Sequence, residues 1–191
     1  MMKVDLQGIA DRKQWEDKGY HLPEYDIGQM REATKENPFW IHFGAGNLFR
    51  AFHAAIVEKM LNEGKLDRGL IVAEGFDYEI VEKMYDTHDN LGIAVTLKAD
   101  GTIDKRVIGS VAEAHPLDSG NETAYGRLKE IFEKDSLQMV TFTITEKGYS
   151  LTNAKGEQLP DVAADFTAGP ERPASYMGKV SSLLYARYCA G

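Results

Sequence analysis

The chain has 191 residues, enough for one domain with a substantial core and too few for two large ones. Its 30 acidic and 22 basic residues give a formal charge of −8, with the cations scattered, which argues against a nucleic-acid surface. A single cysteine, Cys189, excludes an internal disulfide and a cysteine-built metal cluster, and no apolar run approaches the roughly 18 residues of a membrane span, so the expected compartment is the cytoplasm.

Residues 1–37 are polar and broken by Gly8, Gly19, Pro23 and Gly28; they read as an N-terminal arm with one short helix, laid over a core it does not build. From residue 38 the pattern is that of one domain, 38–191. The run FWIHF (39–43) has strand length and ends at Gly44. In NLFRAFHAAIVEKMLNEG, residues Leu48, Phe49, Phe52, Ile56, Met60 and Leu61 form a helical stripe, and Gly64 is placed to stop it. GLIVAE (69–74) is a second buried strand, and DYEIVEKMYDTH (77–88) a short amphipathic helix. Two strand-like runs then flank Asp100-Gly101, a strong hairpin signal. NETAYGRLKEIFEKDS (121–136) predicts a helix with Leu128, Ile131 and Phe132 inward. LQMVTFTITEKGY (137–149) reads as a strand with Thr141, Thr143 and Thr145 on one face, where threonine is ordinarily β-propensity alone. A polar loop to about Arg172 precedes a last helix with Met177, Val180, Leu183, Leu184 and Tyr188 on one side. Alternating strands and helices with buried strands predict an α/β, Rossmann-like fold: a mostly parallel sheet, helices on both faces, and an antiparallel hairpin insertion.

The turn from the first of these strands into its helix, Phe43-Gly44-Ala45-Gly46-Asn47-Leu48-Phe49-Arg50, is the main chemical signal. The first N–H groups of a helix have no intrahelical partner, and with the macrodipole they form an anion site. Gly44 permits a sharp turn, Gly46 removes a side chain that would hold a pyrophosphate off the backbone, and Asn47 is a good cap. The spacing is G-x-G-x-x-F, with Phe49 where a third glycine is usual, so either the helix leans differently or Phe49 faces away from the sheet. Arg50 falls in the first helical turn, near any bound pyrophosphate. A dinucleotide, a methyl-donor nucleoside or no ligand at all is compatible with this turn by itself. Glu74 ends the second strand, where a carboxylate would bind ribose hydroxyls, although it lies 28 residues past Gly46 and Asp77 competes for the task. Thr145 and Glu146 follow the later strand at its carboxyl end, where open α/β sheets bind ligands. His53 reads as structural and Lys147 as a loop residue. His42, His88 and His115 show no metal-ligand spacing.

Four stretches carry a resemblance in chain order: PEYD (23–26), HFGAGNLFRAF (42–52), TFTITEKGY (141–149) and ASYMGKVSSLLYARYCAG (174–191). Together they resemble the polyol-specific long-chain dehydrogenases, the mannitol dehydrogenase family, on its hexuronate-reductase side. The resemblance implies NAD as cofactor and hydride transfer between NAD(H) and a linear polyol or aldonate, or the matching ketose or keto-uronate. It also implies a small sugar alcohol or sugar acid as partner, with no nucleic acid, membrane or metal. The family's proton-transfer lysine lies in a K-x-x-x-x-N-x-x-H pattern that this chain lacks. The expectation is therefore an amino-terminal piece holding cofactor, with no catalytic residue of its own and no activity alone. A non-catalytic nucleotide-binding module and a methyltransferase-like domain are the alternatives.

Overall fold

The computed structural model describes residues 2–191. The first three helices are α1 (Leu6–Ile9), α2 (Arg12–Glu16) and α3 (Ile27–Glu36), with the two-residue strand β1 (Tyr20–His21) between α2 and α3. Each helix starts at an aspartate, Asp5, Asp11 and Asp26, whose carboxylate accepts a backbone N–H of the first turn. The arm is thus more ordered than the one short helix expected. It has its own apolar cluster, in which Ile9, Trp15 and Leu22 pack with Leu91 and Val107, and Met30 of α3 enters the main core.

Strand β2 (Trp40–Phe43) is followed by a helix from residue 47, π-helical over Phe49–Ala54 and continuing as α4 (Ala55–Asn62). Strand β3 (Leu70–Glu74) leads to a short helical stretch that is π-helical over Val81–Tyr85 and 3-10 over Asp86–His88. The hairpin β4 (Gly92–Leu97) and β5 (Ile103–Ile108) turns through Asp100-Gly101, as its sequence predicts, and β6 (Val111–Pro116) follows after Gly109-Ser110. Next come α5 (Glu122–Glu133), β7 (Met139–Phe142), α6 (Glu146–Tyr149), α7 (Pro160–Ala168) and α8 (Tyr176–Ala190). Two expectations change here. The strand expected over 137–149 covers only Met139–Phe142, because Thr145 opens a helix; and α7 and a 3-10 turn (Gly169–Glu171) occupy the stretch expected to be a loop.

The main sheet has the order β6-β3-β2-β7, every pair parallel, and β1-β5-β4 form a separate three-stranded sheet that carries the hairpin. The order places β2 and β3 at the centre, which is why WIHF and LIVAE are apolar on both faces. Ile41, Phe43, Ile71 and Ala73 face α5 and α8 through Leu128, Ile131, Phe132, Val180 and Leu183. On the other face Leu70 and Val72 meet Phe49, Ala54, Val57 and Leu61. The architecture is the α/β, helix-covered parallel sheet with antiparallel addition that the sequence predicts.

Helix faces are where expectation and structure part. Of the stripe drawn through Leu48, Phe49, Phe52, Ile56, Met60 and Leu61, Phe49 and Leu61 are buried and Met60 is half-buried, but Leu48, Phe52 and Ile56 point to solvent, and Ala54 and Val57 are buried in their place. The step of five from Phe49 to Ala54 is the signature of the π-helical turn, which inserts a residue and shifts every later position out of the regular phase. In α8 the inward residues are Tyr176, Lys179, Val180, Ser182 and Leu183, whereas Leu184 and Tyr188 are exposed.

One buried carboxylate, Glu58, and one half-buried carboxylate, Glu113, fasten these layers. Glu58 in α4 accepts the Tyr25 hydroxyl at 2.7 Å, the Gly109 N–H at 2.8 Å and the Asn62 amide at 3.1 Å, tying the PEYD stretch to the corner between the two sheets. Burial pushes its pKa up, partly offset by those donors. Glu113 in β6 is opposed by burial, yet the bidentate Arg127 guanidinium (2.8 and 2.9 Å) and His115 hold its carboxyl down to about 2.

Candidate functional site

The carboxyl ends of β2, β3 and β7 converge on the turn after WIHF. The two glycines of that turn have different reasons to be glycine. Gly44 has φ +110°, and a Cβ there would lie 2.8 Å from the Thr143 carbonyl oxygen, so the fold itself requires it. Gly46 has no positive φ, and a Cβ would meet nothing within 4 Å. The fold makes no demand for glycine at Gly46; the space beside it faces outward from the start of the helix.

The peptide between them is clamped from both sides. The Ala45 N–H donates to Glu74 Oε2 at 2.8 Å, and the Ala45 carbonyl accepts from Arg50 Nη1 and from the Tyr85 hydroxyl, each at 2.9 Å. Arg50 also donates to Asn47 Oδ1. Among the described residues the N–H groups of Gly46, Asn47 and Leu48 find no acceptor in the protein, while Arg50 N–H begins the helical ladder to the Gly46 carbonyl at 3.2 Å. Three backbone donors at a helix start, beside an empty Cβ direction, form a cradle shaped for an anion that approaches the backbone closely.

Phe49 is fully buried, and its ring stacks on the His42 imidazole at 4.7 Å and 18°. It therefore faces the sheet, and the helix accommodates it through the π-helical turn. His42 Nδ1 lies 2.7 Å from Thr141 Oγ1 and Nε2 lies 2.8 Å from Thr143 Oγ1. The Trp40 indole N–H donates to Thr141 Oγ1 at 2.7 Å, and the Thr143 hydroxyl reaches the Gly44 carbonyl at 3.4 Å. The partners assign one proton order: Trp40 N–H to Thr141, Thr141 O–H to His42 Nδ1, His42 Nε2–H to Thr143, and Thr143 O–H to Gly44. This chain needs a neutral imidazole. Burial, with His53 at 4.4 Å, pushes the His42 pKa down to about 3. Thr141 and Thr143, expected to contribute β-propensity alone, thus connect a buried histidine to the glycine turn.

The other expected site residues divide into two groups. Phe43, Gly44, Ala45, Gly46, Asn47, Phe49, Arg50 and Glu74 are brought together around the turn, with Phe43 and Phe49 inside the core beneath it. Leu48, Asp77, Thr145 and Glu146 are exposed along the same edge of the sheet. Arg50 also lines a cavity of about 330 Å³ behind the helix, with Tyr85, His88 and Asn90. Tyr85 is the clamp residue that sequence reasoning missed; it is the last residue of the π-helical segment Val81–Tyr85, in a stretch that reads as an ordinary amphipathic helix, and no local signal marks it.

No family model matches the chain. Among curated relatives it is 46% identical over 190 residues to D-mannonate oxidoreductase of Thermotoga maritima, a match that takes in all of this chain and 35% of that protein. Among solved structures, mannitol 2-dehydrogenase of Pseudomonas fluorescens in a ternary complex with NAD and D-mannitol superposes with a TM-score of 0.76 at 24% identity, over 100% of this chain and 37% of that one. A D-sorbitol dehydrogenase in substrate-free form gives a TM-score of 0.71 at 24% identity, over 91% and 34%. The chain spans about a third of the length of the relatives it matches.

Proposed function

We propose that the chain is the NAD-holding domain of an oxidoreductase of the mannitol dehydrogenase family, acting on a linear polyol or sugar acid. The observation that carries this reading is the cradle at Gly46: three free backbone donors at a helix start, and a glycine whose missing side chain serves nothing inside the fold. A pyrophosphate fits that arrangement, because it needs donors and close backbone approach together. The relative named for mannonate favours a sugar-acid couple, the interconversion of an aldonate with a keto-uronate such as fructuronate or tagaturonate.

In that role the domain positions the coenzyme, which when bound supplies the hydride acceptor or donor. Gly46, Asn47 and Leu48 hold the phosphates. Thr145 and Glu146, exposed at the carboxyl end of β7, stand on the side of the sheet open to substrate. On the family resemblance, the proton taken from or returned to the substrate hydroxyl falls to a lysine in a K-x-x-x-x-N-x-x-H pattern, which does not occur in these residues. Calorimetric titration of NAD into the chain tests the reading. Saturable one-site binding is expected, and a folded chain that binds neither NAD nor NADP would overturn it.

A further inference from the structure

The Ala45 carbonyl and the Gly46 N–H belong to one planar peptide, and in a trans peptide, as here, they point in opposite directions. Whatever holds the carbonyl therefore aims the N–H. The Ala45 carbonyl accepts two donors from inside the protein, Arg50 Nη1 and the Tyr85 hydroxyl, each at 2.9 Å. At the other end of the peptide the Gly46 N–H has no acceptor among the described residues, on a residue whose Cβ would meet nothing within 4 Å. The two donors come from separate elements: Arg50 from the first turn of the helix after β2, and Tyr85 from the π-helical segment Val81–Tyr85, 40 residues beyond Ala45. Tyr85 is 2% exposed, and burial pushes its pKa up to about 12, so its hydroxyl stays protonated and donating across the neutral range. Arg50 spends its other terminal nitrogen on the Asn47 side-chain oxygen.

On the reading that this turn holds the phosphates of a dinucleotide, we propose that Tyr85 and Arg50 are positioning residues, which together fix the plane of the Ala45–Gly46 peptide and so present its N–H to the anion. Two physical effects act together. The first is preorganisation. A peptide next to glycine turns over easily, because no side chain restricts it, and the clamp removes that freedom before the ligand arrives. The second is polarisation: donors on a carbonyl draw charge toward its oxygen and make the N–H of the same peptide a stronger donor. Arg50 in this role acts on the anion through the backbone. Its two terminal nitrogens already hold Ala45 and Asn47, so the fork grips the turn itself.

Tyr85→Phe deletes one oxygen and keeps the ring. The Ala45 carbonyl retains Arg50, so no buried polar group is orphaned, and the melting midpoint should stay within a few degrees of wild type. Titration of inorganic pyrophosphate into the isotope-labelled chain, followed by NMR, should show affinity weakened roughly three- to tenfold, the scale of one hydrogen bond. In the ligand-free variant the Gly46 amide signal should move while signals elsewhere in the main sheet stay in place, a signature that a residue serving only to fill the core would not give. Arg50→Lys is the second variant. It keeps the positive charge but replaces the fork with a single point donor, so pyrophosphate should again bind roughly three- to tenfold more weakly. Wild-type pyrophosphate affinity in a folded Tyr85→Phe overturns the proposal. Signals displaced across the whole domain overturn it too, since they mark general damage and not positioning. If Tyr85→Phe fails to fold, Arg50→Lys decides alone, and wild-type affinity there refutes the clamp. A wild-type chain that binds neither pyrophosphate nor NAD removes the dinucleotide reading and the proposal with it, whereas wild-type binding that both variants retain in full removes the proposal alone.

Discussion

Replacing Gly46 with valine separates a phosphate-binding turn from a merely structural one. The backbone at Gly46 has no positive φ, and a Cβ there meets nothing within 4 Å, so the folded state gains no clash. Removing a glycine also narrows the unfolded ensemble, worth about 0.4–1 kcal/mol at compatible sites, so the melting midpoint should stay within a few degrees of wild type. Binding should respond very differently. The added side chain stands in the space that a phosphate must enter to reach the N–H groups of Gly46, Asn47 and Leu48. Loss of two charge-assisted hydrogen bonds, at about 1.5–3 kcal/mol each, costs about 3 kcal/mol or more, over 100-fold in affinity. Gly44→Ala supplies the contrast: its φ of +110° and the Thr143 carbonyl oxygen at 2.8 Å predict a loss of stability of about 1–3 kcal/mol or more. The assays are calorimetric titration of NAD and a urea melt on each variant. Wild-type NAD affinity in a folded Gly46→Val would refute the reasoning, because the open space would then have no ligand to serve.

His42 is held neutral, its pKa pushed from an ordinary 6.5 down to about 3, so the unfolded chain takes up the proton first and stability should fall as pH drops from about 6.5 toward 3. The limiting slope is about 1.4 kcal/mol per pH unit, and His42→Gln should flatten it; equal slopes in urea melts from pH 7 to 4 would contradict the neutral hydrogen-bond chain. Tyr25→Phe removes a 2.7 Å donor from the buried Glu58 and should cost about 1.5–3 kcal/mol in a denaturant melt, whereas a loss under about 0.5 kcal/mol would show that Glu58 does not depend on it. The chain by itself should show no NAD-linked oxidation of mannitol, mannonate or altronate, since the K-x-x-x-x-N-x-x-H pattern to which the family resemblance assigns an acid–base step worth about 10²–10⁴-fold does not occur in it; turnover by the purified chain, free of host enzyme, would place proton transfer on a residue within these 191.

The layering is legible in local residue patterns. Continuous apolar runs at WIHF and LIVAE specify strands buried on both faces, and Asp100-Gly101 specifies a hairpin, because these depend on neighbours a few residues away. The same patterns place the glycine turn at the end of β2. The direction of side chains follows instead from packing between segments distant in the chain. The inward face of the helix after the turn depends on a π-helical segment made to seat Phe49 on His42, and no 3.6-residue pattern contains that shift. Thr141 and Thr143 look like ordinary strand residues until β7 pairs with β2 and sets them against the His42 imidazole. The order within the arm arises likewise from distant partners: Tyr25 meets Glu58, and Trp15 packs in a cluster with Val107. Glu74 shows the same limit at the site. Its place at a strand end is legible in the chain, but whether its carboxylate faces ligand or backbone is set by where the Ala45 N–H lies, 29 residues away in sequence and 2.8 Å away in space.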